Sequence, residues 1–296
     1  MYNKIIYCYF EETYVLQKSI TIGLVHSRIQ NRTELYMATK EKEIDNSLSK
    51  AIRILFSFSE IQSKMRLVDI SKQLDLNMST THRLLSMLVD QKLIETETDT
   101  NQYKLGLCIL ELAKIILNSL PIRRSARPYL ISLSQQFDTN ASLAIFDGAN
   151  VFYLDRVPPP GIPDFYVHAG RKESVHTTAL GKALLAWRDP SEVLEILEQC
   201  GMPQKTENTI TDPKRFLEEL DKVKSLGYAQ DQGEIIPNVF CIAAPIRDSS
   251  GSVIAAISCS TRGSQVDFEN ILDNVKILLD ITHRLSCELG YGLCLG

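Results

Sequence analysis

Between Ser47 and Gly106 the apolar residues follow a helical period three times and then switch to a period of two, a pattern that few folds accommodate. "SLSKAIRILFSFSE" places Leu48, Ile52, Leu55 and Phe56 on one helical stripe, with Ser47 or Ser49 available to cap it. "LVDISKQL" predicts a second, short helix with Leu67, Ile70 and Leu74 turned inward. A tight turn at Asp75-Leu76-Asn77 leads to a third helix, capped by Ser79, whose Leu84, Leu85 and Leu88 face the core. "LIETETDTNQYKLG" then reads as two short strands around an Asp99-Thr100-Asn101 turn. Three short helices and a hairpin in about 60 residues make a winged helix-turn-helix. In that arrangement the third helix enters the major groove with its first residues toward the base edges.

The exposed positions of the third helix are Ser79, Thr80, His82, Arg83 and Ser86. A solvated helix face is the plainer reading of such residues taken alone. At the front of a recognition helix, however, Arg is the commonest reader of guanine, and short hydroxyls serve phosphates or either base. Which of these five meet bases and which meet phosphates is left open. Lys50 at the start of the first helix, and Lys64 and Arg66 before the second, are candidate phosphate partners. The wing carries Glu95 and Glu97, with Lys104 its only basic residue. Carboxylates repel phosphates, so this wing is expected to be a weak DNA anchor.

Downstream, "LGLCILELAKIILNSL" is apolar nearly all round and needs a cover, for which its copy in a second subunit is the natural candidate. Pro121 closes that helix, and "RRSARPYLISLSQQF" opens a second domain. There "NASLAIFD" and "NVFYLDRV" predict a hairpin through Gly148-Ala149-Asn150, and "VFCIAAPIRD" and "SVIAAISCST" another through Ser249-Ser250-Gly251. "TALGKALLAW", "SEVLEILEQC", "PKRFLEELDKVKSLG" and "FENILDNVKILLDITHRLSCEL" predict helices. Antiparallel strands with helices grouped around them give an α+β fold. The expected organisation is an extension over 1–45, poorly ordered; a winged helix-turn-helix over 46–105; a linker and dimerisation helix over 106–120; and an effector domain over 121–296. Met37, or a residue near it, reads as the natural start, the competing reading being that residues 1–36 add a strand or helix.

A formal net charge of −4 excludes an all-over basic coat but permits a local basic face. Seven scattered Cys with no C-x-x-C favour free thiols in a reducing cytoplasm and give no zinc signature. No apolar run approaches the roughly 20 residues that span a bilayer, and Glu11-Glu12 interrupts the short apolar start. No metal or cofactor is expected.

At this point the chain resembles the IclR-type transcriptional regulators, the family of the isocitrate lyase regulator, from about Ser47 to Gly290. The resemblance rests on the order and spacing of "STTHRLLSML", "YKLG", "VFYLDRV", "VHTTALGKALLA", "TITDP", "LGYAQDQGE" and "CIAAPIRDSSGSVIAAISCS". It implies a DNA-binding winged helix, a dimerising linker helix and a GAF-like domain for a small effector. It also implies dimers or pairs of dimers on a palindromic double-stranded DNA operator. Two departures stand out: Met78 precedes Ser79 where relatives often carry Lys, and the wing is acidic where relatives often carry Arg.

Gly181-Lys182 is not a P-loop, since no glycine stands five residues before Gly181 and Ala183 replaces the Ser/Thr. Thr177 or Thr178 can cap the helix there, which leaves the amides of Ala179 and Leu180 as a seat for a carboxylate. Period two places Ser258 and Ser260 on one strand face with Ala256 leaving space beside them, Cys241 on the neighbouring strand, and Asp231 in the loop after "LGY". The resemblance implies that Ala179, Leu180, Asp231, Cys241, Ser258 and Ser260 contact a small organic acid; Phe165 and Val167 are secondary candidates for an apolar wall. A buried thiol, backbone-bonded serines and a turn aspartate are the plainer readings of these side chains taken one at a time. Two other classes remain. An enzyme, methyltransferase-like or using the Cys241 thiol, lacks G-x-G-x-x-G, G-x-S-x-G, H-E-x-x-H and any base motif near Cys241. An inert DNA-bound scaffold leaves the polar set without a purpose.

Overall fold

The computed structural model describes residues 46–161, 169–262 and 268–292. The N-terminal extension, Phe165 and Val167 lie outside the described residues. The chain divides into two compact units at Glu111/Leu112.

In the first unit, α1 (Ser47–Ser57), α2 (Leu67–Gln73) and α3 (Met78–Asp90) pack around Ile54, Ile70, Leu84, Leu85 and Ile94. The strands β1 (Lys64–Met65), β2 (Ile94–Glu97) and β3 (Gln102–Leu105) form an antiparallel sheet in the order β1-β3-β2. The strand β1, two residues long, is too short to show a period in the sequence. Gly106 closes the wing against the end of α3: a Cβ there would stand 2.0 Å from the Lys92 carbonyl oxygen.

Three local expectations are corrected. The cap of α1 is Asn46, whose Oδ1 accepts from the Ser49 amide at 2.8 Å, and neither Ser47 nor Ser49 fills that place. The cap of α3 is Asn77, not Ser79, because Asn77 has the extended backbone that a cap requires and Ser79 already lies within the first turn. The buried stripe of α1 is centred on Ile54, with Ala51, Leu55 and Phe58 around it, whereas Leu48 and Phe56 are 68% and 61% exposed. The helix carries two apolar stripes, and periodicity alone cannot choose between them.

The helix α4 (Cys108–Ser119) spans the division and buries none of its residues; Leu110, Leu112, Ile115 and Ile116 are all exposed. The second unit is built on a six-stranded antiparallel sheet of order β6-β5-β4-β9-β8-β7. Its strands are β4 (Asn140–Phe146), β5 (Asn150–Val157), β6 (Lys172–Ser174), β7 (Ala229–Gln232), β8 (Val239–Arg247) and β9 (Val253–Arg262). Alternation sorts the sheet into two buried faces. Leu143, Leu154, Ala244, Ala255 and Ile257 meet α5 (Pro121–Phe137) and α9 (Phe268–Glu288) on one face. Ala144, Ala229, Ala243 and Ala256 meet α6 (Ala179–Leu185), α7 (Pro190–Cys200) and α8 (Pro213–Leu226) on the other. Small side chains on that second face let α6 lie close to the strands. The fold is α+β, a helix-turn-helix unit followed by an antiparallel-sheet domain. Among the described residues no helix is long and apolar enough to cross a membrane.

Candidate functional site

Ser79, His82, Arg83 and Ser86 stand exposed along α3, and Thr80 is half-buried beside them. The Asn77 carboxamide oxygen accepts from the Thr80 amide at 2.8 Å and from the Ser79 hydroxyl at 2.9 Å, which fixes both at the helix start. The Ser86 hydroxyl donates to the His82 carbonyl oxygen at 3.0 Å, leaving the Ser86 oxygen free to accept. Arg83 donates to the Ser47 hydroxyl on α1 at 3.1 Å, so its guanidinium is oriented before any partner arrives. Arg66 precedes α2, exposed, and Lys50 is half-buried on α1. Lys64 and Lys104 are apart from the helix face, as register partners on β1 and β3. Both face carboxylates: Lys64 meets Glu97 at 2.5 Å, and Lys104 meets Glu95 at 3.3 Å.

In the second unit the sheet register gathers the candidate effector residues. Asp231 pairs with Cys241 and Cys241 with Ser260, so three strands supply one row. One step along, Ala229, Ala243, Ser258 and Ser142 form the next row on the same face. Asp231 is a strand residue of β7, which corrects its expected place in a loop: "AQDQ" pairs along β8 because its partner strand is apolar and long enough to receive it. Ala179 and Leu180 are buried in the α6 cluster that also contains Cys241 and Tyr153. Thr178 caps α6, its Oγ1 accepting from the Gly181 amide at 2.8 Å. The Ala179 and Leu180 amides, at the first two helical positions, have no acceptor within the helix.

Burial sets the electrostatics here. It raises the Asp231 carboxyl above the usual range, against the pull of the Glu234 amide, which donates to Asp231 Oδ1 at 2.7 Å, and of Lys182. Burial likewise pushes the Cys241 thiol well up, and the Asp231 charge adds to it. A protonated thiol is a donor and a poor nucleophile, which argues against thiol catalysis. Burial also raises the Tyr153 phenol, a residue on the same face that the sequence analysis does not single out.

The larger omission is Lys182. It is 1% exposed, and its ammonium meets the Glu234 carboxylate at 2.6 Å, the Gln230 carbonyl oxygen at 2.9 Å and the Glu219 carboxylate at 3.3 Å. Three donors find three acceptors, and α6 is bound to the strand and loop that hold Asp231. Gly181 lets the start of α6 pack against the turn just before it, since a Cβ there would stand 2.0 Å from the Val175 carbonyl oxygen. Apolar neighbours on both sides of "GK" were the available signal; they mark a buried position without naming the partner. Among the described residues no cluster of His, Cys, Asp and Glu could hold a metal ion.

Comparison with known proteins agrees with this architecture. Residues 114–287 match the bacterial transcriptional regulator IclR C-terminal domain, and residues 47–98 match the IclR helix-turn-helix domain. The HTH-type transcriptional regulator XynR of Escherichia coli (strain K12) is 32% identical over 248 residues, 84% of this chain and 98% of that protein. The solved IclR of Thermotoga maritima superposes with a TM-score of 0.68 at 26% identity, covering 83% of this chain and 99% of that one. An IclR homolog from Microbacterium hydrocarbonoxydans, solved in complex with 4-hydroxybenzoate, gives a TM-score of 0.71 at 26% identity over 82% of this chain and 99% of that one. The chain therefore belongs to the IclR family of transcriptional regulators, which bind DNA and carry a ligand-binding domain C-terminal to the helix-turn-helix.

Proposed function

We propose that this regulator senses a small organic acid on the α6 face of its C-terminal sheet, and that occupancy modulates operator binding by α3. The observation that carries the reading is the convergence of Asp231, Cys241 and Ser260 in one cross-strand row, with Ser258 beside them and the α6 start on the same face. The Ala179 and Leu180 amides would hold the carboxylate, and Ser258 and Ser260 would bond its oxygens. Asp231, with its raised carboxyl, would meet a hydroxyl of the effector as acceptor, or as donor when protonated. The 4-hydroxybenzoate bound by a relative has both a carboxylate and a hydroxyl, which supports that class of ligand.

The operator in this reading is a palindromic double-stranded DNA site bound by a homodimer or a dimer of dimers, with the exposed apolar faces of α4 pairing between copies. Effector binding then biases the dimer's conformational equilibrium and the spacing of its two α3 helices. The test is calorimetry of the purified protein against hydroxy- and keto-acids, 4-hydroxybenzoate included, with Asp231→Ala and Ser258→Ala alongside. Losing one buried hydrogen-bond partner costs about 1–3 kcal/mol, so either substitution should weaken binding by roughly tenfold to a hundredfold. Asp231→Ala should weaken a hydroxylated acid more than its deoxy analogue. An acid that binds both variants as tightly as the native protein places the pocket elsewhere.

A further inference from the structure

The wing presents more acid than base. Glu95, Glu97 and Asp99 stand against Lys64 and Lys104 on its sheet. Register places Lys64, Lys104 and Glu95 side by side across β1, β3 and β2, with Glu97 two residues along on the same face of β2. Each lysine is met by a carboxylate of β2, Lys64 by Glu97 at 2.5 Å and Lys104 by Glu95 at 3.3 Å. Glu97 is held further by the Thr100 hydroxyl, which donates to its other oxygen at 2.7 Å. Glu95 accepts from the Leu107 amide at 3.3 Å. Both acids are therefore fixed by a second partner, and the cations come to them. Met65 and Ile94, at the alternating positions, are buried in the helical core, so this is the outward, solvent-facing side of the wing sheet.

Sequence-independent DNA affinity is set by how many phosphates the protein neutralises, because each contact releases a counterion. A lysine already paired with a fixed carboxylate gains little by exchanging it for a phosphate, and the remaining negative charge repels the backbone. We infer that Glu95 and Glu97 are specificity determinants of the DNA interface: they sequester the two wing lysines, suppress sequence-independent binding, and leave recognition to α3. The inference rests on the family's DNA-binding function.

The test measures the affinity of the full chain for random-sequence duplex DNA as a function of salt, and needs neither operator nor effector. Glu97→Gln and Glu95→Gln retain an acceptor for Thr100 and Leu107 but lose the charge. Each should bind random duplex about threefold more tightly near 50 mM salt, with the log–log salt slope steeper by about one, and the double variant about tenfold more tightly. Adding Lys64→Gln to Glu97→Gln should return affinity and slope to the native values, which identifies the freed lysine as the new contact. Glu198→Gln, an exposed site on α7, controls for net charge. Native protein that binds while Glu97→Gln behaves like Glu198→Gln overturns this inference alone. Absence of any DNA binding by native protein and variants at low salt overturns the DNA-binding reading with it.

Discussion

Lys182→Met removes an ammonium from a place that water does not reach. Native Lys182 is 1% exposed and Glu234 is 6% exposed, so the pair is buried, and Glu234 Oε2 already has no partner. Without the lysine, Glu234 either remains ionised and unpaired or takes up a proton. Protonation limits the cost: holding a carboxyl of ordinary pKa 4.5 neutral at pH 7 costs about 3.4 kcal/mol, at about 1.36 kcal/mol per unit. Burial already raises this carboxyl in the native protein, so part of that penalty is present before the substitution. The net loss should be about 2–3 kcal/mol at pH 7, at the lower edge of what breaking a buried pair usually costs.

The pH dependence has a definite sign. A carboxyl whose folded pKa is raised costs stability above the folded value, and the cost disappears as pH falls toward the unfolded value. The gap between native and Lys182→Met protein should therefore narrow to below about 1 kcal/mol near pH 5. Trp187, the single tryptophan, follows α6 with the Arg247 guanidinium 4.3 Å from its ring centroid, so its fluorescence reports unfolding of this unit alone. Urea titrations at pH 7 and pH 5 give the two values. Adding Glu234→Gln should remove the pH dependence of the gap. A gap of equal size at both pH values, or one below about 1 kcal/mol at pH 7, would refute the reasoning.

His176 is buried, and burial lowers its pKa from the ordinary 6.5. Its contribution to stability should therefore be full above that value and be lost as pH falls through 6.5 toward the folded value, a loss that urea midpoints from pH 7.5 to 5.5 should show and that His176→Gln should flatten. Arg83→Ala should weaken operator binding by about 1–3 kcal/mol if the guanidinium reads a base, measured by footprinting at matched salt. If it meets only phosphate, random and operator DNA should weaken together and the salt slope should fall by about one. Leu110→Lys should give a folded monomer by sedimentation, since Leu110 is 65% exposed in the single chain; an unchanged dimer would remove α4 from the subunit contact.

Local patterns were enough for much of the architecture. The leucines of α3 recur at helical spacing and are buried, the turn at Asn101 takes the positive φ that a hairpin end uses, and "SVIAAISCS" alternates as a strand with both faces covered. These properties are set within a few residues, by backbone geometry and the period of the apolar side chains. The α+β class follows from them. The resemblance then nominated Asp231, Cys241, Ser258 and Ser260 as a group, but the row of Asp231, Cys241 and Ser260, with Ser258 in the row beside it, is a property of strand register, which joins residues up to 29 positions apart between Asp231 and Ser260.

Register is long-range, and most of what the residues leave illegible depends on distant packing, the helix caps being the local exception. Asn46 and Asn77 displaced the serines as caps because the cap is whichever residue turns extended where the helix starts. Leu48 and Phe56 lost to Ile54 because the other elements of the core, not the helix itself, decide which stripe is covered. Lys182 reads as an ordinary charged residue until α6 is laid over β7, where Glu234 stands 52 positions away along the chain. Lys64 and Lys104 read as isolated cations until the sheet aligns them with Glu97 and Glu95. A side chain's type limits what it can bond, but its partner is chosen by which distant segment the packed core brings beside it.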